Sequence, residues 1–382
     1  MMDMSFKNNP LYIDARKRME REFQEKRERG VLSKAHAEDH VIAVSNFGSA
    51  TAHALMKGQG YIEEAQNAAL LASVAGLMHD IKREATERVP HGPEGAKYIL
   101  KLSWESDLWR DIGTEGFDSI YRAIANHEQP FNIITTIFGD PLKVEDQQLM
   151  PSVVAHSLKT GDAALEASGY RVLERRAFFV GRERMFKDLK NILKYPEESH
   201  LAFLGETMIR LYKRNPIDAY PEWLKPLAQE WHAVQYLFYK GLLRYVGMNE
   251  REAAEYMHRI GFTRFDEKMV EKITSEKHLD GKHFSETEYP ILSEKIREMN
   301  ELEERELDDL AESSYRVIKL ISEADSPESA LKKYKREGIG GLKYAKEFMD
   351  GIIAYREGSE DFLDYFAHKI EDSVIKLKKA RI

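Results

Sequence analysis

The sequence predicts an all-α protein. Apolar residues recur at intervals of three and four along most of the 382 residues, whereas the strict alternation of half-buried strands is nearly absent. Helix start and stop signals are also frequent. The first strong element follows Gly60: the segment YIEEAQNAALLASVAGLMHD carries Glu63 and Glu64 at its start and is apolar nearly all round. We expect it to form a buried central helix.

The later chain carries further helix signals. The stretch LAQEWHAVQYLFYKGLLRYVG has one apolar face, Asn249 and Glu252 have capping-box spacing, and Ser326 precedes a proline that suits a first helical turn. A charged helix at about residues 289–321 has rough heptad spacing, which fits either an antiparallel hairpin or a dimerising coiled coil. Only FNIITTIF resembles a strand, and we expect a short extended or irregular connection there.

Composition excludes several classes of site. The net charge of −8, from 57 basic and 65 acidic residues, argues against a broad grip on nucleic-acid phosphates. The chain has no cysteine, so any metal must bind histidine, aspartate or glutamate. The N-terminus has no apolar signal region, and the longest apolar stretch is too short for a bilayer. We therefore expect a cytoplasmic protein with no membrane contact.

The distribution of histidine and proline suggests three parts. Histidines concentrate before residue 160, and prolines become frequent after about residue 190. We predict an N-terminal helical segment at residues 1–34, a main domain at 35–190 and a C-terminal all-helical region at 191–382. The last part has no motif that we can tie to chemistry, so covering a pocket, self-association and partner binding all stay open.

An ordered set of histidines and aspartates lies in the first half of the chain. Its members are His40 in AEDHVIAVSNFG, His79 and Asp80 in LMHDIKRE, His91 in VPHGPEGAKYIL, His127 in IYRAIANHEQP and Asp162 in LKTGDAALEASGY. This order resembles the HD superfamily of metal-dependent phosphohydrolases over roughly residues 35–185. The resemblance implies an all-α HD-domain bundle, here with an additional C-terminal helical region.

The resemblance also implies one or two divalent metal ions per chain. His40, His79, Asp80 and Asp162 would form a first site, with Glu166 as the alternative to Asp162. His91, at a predicted helix start, and His127, at a predicted helix end, would bind a second metal or phosphate. Adjacent side chains on a regular helix point about 100° apart, so His79 and Asp80 can share an ion only if their helix ends there. Such ligands accept Mn, Fe, Co, Ni, Zn or Mg.

The implied reaction is hydrolysis of a phosphate ester or anhydride, in a nucleotide or other small phosphorylated molecule, by metal-activated water. Asp80, Lys82 and Arg83 are the candidate catalytic residues. Relatives commonly carry lysine three residues after the aspartate, where this chain has Arg83. His36, one helical turn before His40, is a candidate for substrate binding. The other candidates for substrate binding are Arg83 and Arg176, and Arg176 lies in a basic run.

Two other functions stay open. A nuclease acting on single-stranded nucleic acid would need a basic groove, which only the basic run and the mixed-charge N-terminus could build. A binding or scaffold protein could retain the fold without turnover. We expect the histidines outside the ordered set to be structural or exposed, namely His53, His200, His232, His258, His278, His283 and His368. His156 is expected to be structural or to support a ligand.

Overall fold

The computed structural model describes residues 5–32, 38–84, 90–166, 217–229, 249–260 and 360–380. All regular elements in these ranges are helical, which confirms the all-α prediction. Chain contacts define two compact units. The first comprises Met1–Leu165, Ile217–Ala228 and Glu357–Ile382, and the second comprises Glu166–Pro216 and Gln229–Arg356. The division at residues 34 and 190 stays a prediction.

The described helices are numbered α1 to α10 in chain order. Their bounds are α1 Pro10–Glu28, α2 Glu38–Gln59, α3 Ala65–Met78, α4 His91–Glu105, α5 Asp107–Arg110, α6 Gly113–Asn126, α7 Phe131–Phe138, α8 Asp146–Glu166, α9 Glu250–Ile260 and α10 Glu360–Lys379. Single 3-10 turns lie at Ser5–Asn8 and Ile217–Ala219. Among these helices, none combines the length and the apolarity that crossing a membrane requires.

The central helix of the first unit is α3. It is buried nearly all round, as predicted, and contacts α1, α2 and α6. Its regular part begins at Ala65, so Glu63 and Glu64 lie just before its first turn. An apolar helix enclosed on all sides brings its last residues, and whatever polar groups follow them, into the interior.

Glycines allow α2 to approach both α3 and α8 closely. A Cβ atom on Gly76 of α3 would lie 2.5 Å from the Cα atom of Ser45, and one on Gly161 of α8 would lie 2.6 Å from the carbonyl oxygen of Val44. Both distances are far inside van der Waals contact, so neither crossing can accommodate a side chain. These contacts fix the spacing of the three helices that carry His40, His79 and Asp162.

The C-terminal helix α10 belongs to the first unit and packs on α2. The rings of Phe366 and Phe47 meet edge to face with centroids 4.9 Å apart. The ammonium of Lys57 lies 3.1 Å from the carboxylate of Glu371 at the edge of this contact. The last helix thus covers the face of α2 around Phe47.

The segment FNIITTIF is helical, and the prediction of an extended connection was wrong. It forms α7 directly after Pro130, and Gly139 ends it with a φ of 78°. Phe131, Ile134 and Phe138 are buried at helical spacing. The weak strand preference of its β-branched residues is outweighed by the burial of this face and by a proline start and a glycine stop.

The predicted capping box at Asn249 is confirmed at the start of α9 in the second unit. The side chain of Asn249 accepts a hydrogen bond of 3.0 Å from the amide of Glu252, and the carboxylate of Glu252 accepts one of 3.0 Å from the amide of Asn249. Most of the helix predicted from about residue 227, and all of those at residues 289–321 and after Ser326, lie outside the described residues.

Candidate metal centre: a buried histidine and aspartate cluster

The centre of the cluster is Asp80, in the turn that follows α3. The helix ends at Met78, His79 occupies the C-cap position, and Asp80 comes next. The predicted helix end is therefore confirmed, and two adjacent side chains reach the same point. The side chains of His79 and Asp80 are each 1% exposed.

One oxygen of Asp80 faces two histidines. Its Oδ2 atom lies 3.3 Å from Nε2 of His79 and 3.5 Å from Nε2 of His40. The same His40 nitrogen lies 3.7 Å from Oδ1 of Asp162. We call these residues, His40, His79 and Asp162 around Oδ2, the Oδ2 side.

The other oxygen of Asp80 faces a second pair of histidines. Its Oδ1 atom lies 3.0 Å from Nε2 of His91 and 3.7 Å from Nε2 of His127, and these two nitrogens are 3.1 Å apart. The guanidinium of Arg83 lies 3.9 Å from this oxygen and 3.3 Å from Nε2 of His91. We call this set, with Glu128, the Oδ1 side.

Helix ends orient three of the four histidines. His79 and His127 are the C-cap residues of α3 and α6, and each donates from Nδ1 to the carbonyl three residues earlier, at 2.8 Å to Gly76 and 2.7 Å to Ile124. That bond places a proton on Nδ1, so Nε2 is the nitrogen that faces Asp80 and that can ligate a metal ion when the ring is neutral. His91, as predicted, is the first residue of α4 after Pro90.

Charge and burial oppose each other in the cluster. Burial raises the pKa of Asp80, but the charge of protonated His79 and the neighbouring rings of His127 and His40 hold that pKa well below its usual range. Burial lowers the pKa of His79, but the charge and hydrogen bond of Asp80, the charge of Asp162 and the carbonyl of Gly76 together outweigh burial and raise that pKa. Burial lowers the pKa of His127. A buried carboxylate here therefore needs a positive partner.

The donor set fits a divalent metal ion. Two groups of side chains are positioned to hold one: His40, His79 and Asp80, and then Asp80, His91 and His127, with ligand atoms within 4.8 Å of one another in each group. Neither oxygen of Asp80 receives a hydrogen bond of regular geometry in the described part of the chain. Imidazole nitrogens combined with a carboxylate are the ligands that first-row divalent ions bind.

Lys82 is not brought to the cluster. Its ammonium donates to the carboxylate of Glu22 at 2.8 Å and lies 4.3 Å from the centre of the Tyr98 ring. An ion pair with α1 therefore holds the side chain that we named as a catalytic candidate, whereas Arg83 lies at the cluster. His36 and Arg176 lie outside the described residues, as does the side chain of Glu166.

Two residues at the cluster escaped the sequence analysis. Lys26 of α1 is 1% exposed, and its ammonium donates to the carbonyl oxygens of Ile81 at 2.6 Å and Arg83 at 2.8 Å. Burial lowers its pKa to about 8, against the attraction of Asp80. Glu128 follows His127, and its Oε1 atom lies 3.3 Å from Nδ1 of His91.

A sequence signal existed for both residues. Lys26 continues the buried face of α1, where Ala15, Met19 and Phe23 precede it at helical spacing, and a cation on such a face needs a buried partner. Glu128 stands beside a predicted ligand, and carboxylates commonly support metal-binding histidines.

Searches for similarity to models of protein families, to curated proteins and to solved structures give no significant match. The resemblance to the HD superfamily therefore depends on residues of this chain alone. Fold and site together define an all-α protein with a buried histidine and aspartate cluster that is positioned to hold a metal ion.

Proposed function

We propose that this protein is a metal-dependent phosphohydrolase, similar to the HD superfamily, that cleaves a phosphate ester or anhydride in a nucleotide or other small phosphorylated molecule. The observation that carries the proposal is the position of Asp80, whose two oxygens each face a pair of histidine Nε2 atoms. One carboxylate shared between two such groups supports a centre for two ions. The imidazole ligands favour Mn, Fe, Co, Ni or Zn over Mg.

The residues around the cluster suit phosphate chemistry. A bound divalent ion lowers the pKa of a coordinated water and stabilises the charge that develops on phosphate oxygens. Asp80 and Asp162 supply negative charge that holds the ion, and the hydrogen bonds at Nδ1 of His79 and His127 keep those rings oriented. Arg83, beside His91, supplies a cation for a phosphate oxygen.

The burial of the cluster favours a small substrate. The side chains of the ligands are at most 11% exposed, with Asp162 the most exposed. Two side chains that contact His91 are more open, Arg83 at 21% and Glu128 at 36%. A terminal or small phosphate would therefore approach from the Arg83 and Glu128 edge. The basic run from Arg175 to Arg184, on which a nucleic-acid groove would depend, lies outside the described residues.

Elemental analysis tests the metal site first. Wild type purified without chelator or a metal-affinity tag is compared with Asp80→Ala and with Asp118→Ala, whose carboxylate lies on the exposed surface of α6 and pairs with Arg122. We expect about one or two equivalents of a divalent ion in wild type and in Asp118→Ala. Asp80→Ala should lose the metal and keep its helix content by circular dichroism. Wild type that neither carries metal nor takes up added metal overturns the proposal.

Hydrolysis is then measured with the ion that is found. The substrates are p-nitrophenyl phosphate, its bis-ester, a panel of nucleotides and a single-stranded oligonucleotide. We expect turnover of a small phosphate by wild type, and loss of turnover in Asp80→Ala and with chelator. A clear preference for the oligonucleotide would favour a nuclease. Bound metal without hydrolysis of any of these phosphates would favour a binding or scaffold protein on the same fold.

A further inference from the structure

The turn after α3 leaves backbone carbonyl groups that its own hydrogen bonds do not use. Within the turn, the amide of Ile81 bonds to the carbonyl of Met78 at 3.2 Å, and the amide of Arg83 bonds to that of Asp80 at 2.9 Å. The carbonyl oxygens of Ile81 and Arg83 need donors from elsewhere, since a helix end cannot supply them. Ile81 is fully buried, so an unpaired carbonyl there would be costly.

Lys26 supplies both donors from α1. Its ammonium has three protons and gives one to each of these two carbonyl oxygens, at 2.6 and 2.8 Å. A positive charge at the carboxyl end of α3 is also favourable for the helix dipole. The energetic expense of burying an ammonium is offset only because two carbonyl groups and the charge of Asp80 surround it.

Neighbouring residues of α1 hold the same segment. Glu22, one helical turn before Lys26, pairs with Lys82, and Arg29 at the C-cap of α1 pairs with Glu84 at 2.5 Å. The stretch from Ile81 to Glu84 is thus tied to one face of α1 at each of its four residues. Of these partners, Lys26 is the one that is buried.

We propose that Lys26 is a positioning residue for the metal centre: by holding the carbonyl groups of Ile81 and Arg83, it fixes the turn that carries Asp80. The inference rests on the proposed metal site. It makes α1, which the sequence places before the main domain, a part of that site. A second consequence concerns Arg83, because the same ammonium fixes the backbone from which that guanidinium reaches His91.

The test compares Lys26→Met with Lys17→Met. Both variants replace a lysine of α1 by an unbranched apolar residue, but Lys17 is exposed. Titration with Mn²⁺ alone measures affinity, and hydrogen exchange of the metal-free protein measures protection of the amides from Ile81 to Arg83. We expect Lys26→Met to bind Mn²⁺ about 10- to 100-fold more weakly and to lose amide protection in this turn. Lys17→Met should match wild type in both.

The outcomes separate this inference from the proposed function. Wild-type Mn²⁺ affinity and wild-type turn protection in a folded Lys26→Met variant would overturn the role of Lys26, whether or not the protein hydrolyses phosphates. Weaker Mn²⁺ binding with a wild-type melting temperature would support it, because a purely structural lysine would not change affinity alone. If Lys26→Met loses its helix content, Lys26→Gln, which keeps a shorter donor, is judged by the same criteria.

Discussion

The two sides of Asp80 differ in their surroundings. The Oδ2 side brings together His40 and His79 with a second carboxylate, Asp162, and its residues lie on or directly after the closely packed helices α2, α3 and α8. The Oδ1 side combines two histidines with Arg83 and Glu128, which are its most exposed members. The two carboxylates of Asp80 and Asp162, together with two histidines, favour a tightly held cation. The guanidinium of Arg83 at the rim of the Oδ1 side favours binding of an anion. We expect the cation on that side to exchange more readily.

The comparison predicts unequal effects of losing one histidine from each side. We expect His40→Gln to weaken metal binding by well over about 100-fold, since it removes a ligand and not merely its support. The matched variant His91→Gln should keep the metal of the Oδ2 side through dialysis. Metal content after dialysis, measured by elemental analysis, checks this prediction. Equal losses in both variants would contradict the assignment of tight binding to the Oδ2 side.

A buried histidine away from both sides provides a second test. His156 of α8 donates from Nδ1 to the carbonyl of Ser152 at 2.9 Å, and its Nε2 lies 3.1 Å from the hydroxyl of Thr135. Burial lowers its pKa to about 4. Since this value lies below the unfolded pKa of about 6.5, the unfolded state takes up the proton first, and stability falls as pH decreases from 6.5 towards 4.

Between pH 6.5 and pH 4 the free energy of unfolding should decrease by about 3 kcal/mol in total, at about 1.4 kcal/mol per pH unit. Urea unfolding of wild type and His156→Gln across this range checks it, and the variant should have the smaller acid dependence. His368→Gln, which alters an exposed histidine of α10, should follow wild type. If the free energy of unfolding of His156→Gln depends on pH as steeply as that of wild type, the prediction is wrong.

The close approach of α2 and α3 gives a third prediction. Gly76→Ala should destabilise the protein by about 1–3 kcal/mol, because its Cβ would lie 2.5 Å from the Cα atom of Ser45 and would separate the helices that carry His40 and His79. Gly48→Ala places its Cβ 3.5 Å from the nearest atoms and should be neutral or stabilising by up to about 1 kcal/mol. Urea unfolding measures both, and equal effects would contradict the packing argument.

The smallest effect is expected at the rim of the Oδ1 side. Glu128→Gln removes the charge beside Nδ1 of His91. We expect it to lower the affinity for the second equivalent of Mn²⁺ by about tenfold and to change the affinity for the first equivalent little. Glu105→Gln, at an exposed position of α4 that pairs with Lys101, is the control. Calorimetric titration distinguishes the two equivalents. A weaker first equivalent would show that Glu128 acts on both sides of Asp80.

The sequence predicted local features better than partnerships. The helix end at His79, the helix start at His91 and the capping box at Asn249 follow from short-range rules, and each is confirmed. Lys26 contacts a turn 55 residues away, and no local rule reveals which buried carbonyl a lysine will reach. The same limit applies to Lys82, where only the packing of α1 shows that Glu22 captures the side chain.

The segment FNIITTIF shows the opposite kind of limit. Its β-branched residues favour a strand locally, and the outcome depended on a proline start, a glycine stop and an apolar face that tertiary packing buries. Asp162 illustrates a third case. The motif predicted its importance, but its position 3.7 Å from Nε2 of His40 depends on the Gly161 crossing with α2.

The arrangement of His79 and His127 has a consequence for protein design. Each ring is aligned by a carbonyl of its own helix, three residues earlier, so neither needs a partner from a distant segment to set its tautomer. A histidine directly after the last helical residue is in this sense a self-contained ligand module. Two such helix ends, grafted to face one another across an artificial bundle, would provide a pair of Nε2 metal ligands without a supporting hydrogen-bond network.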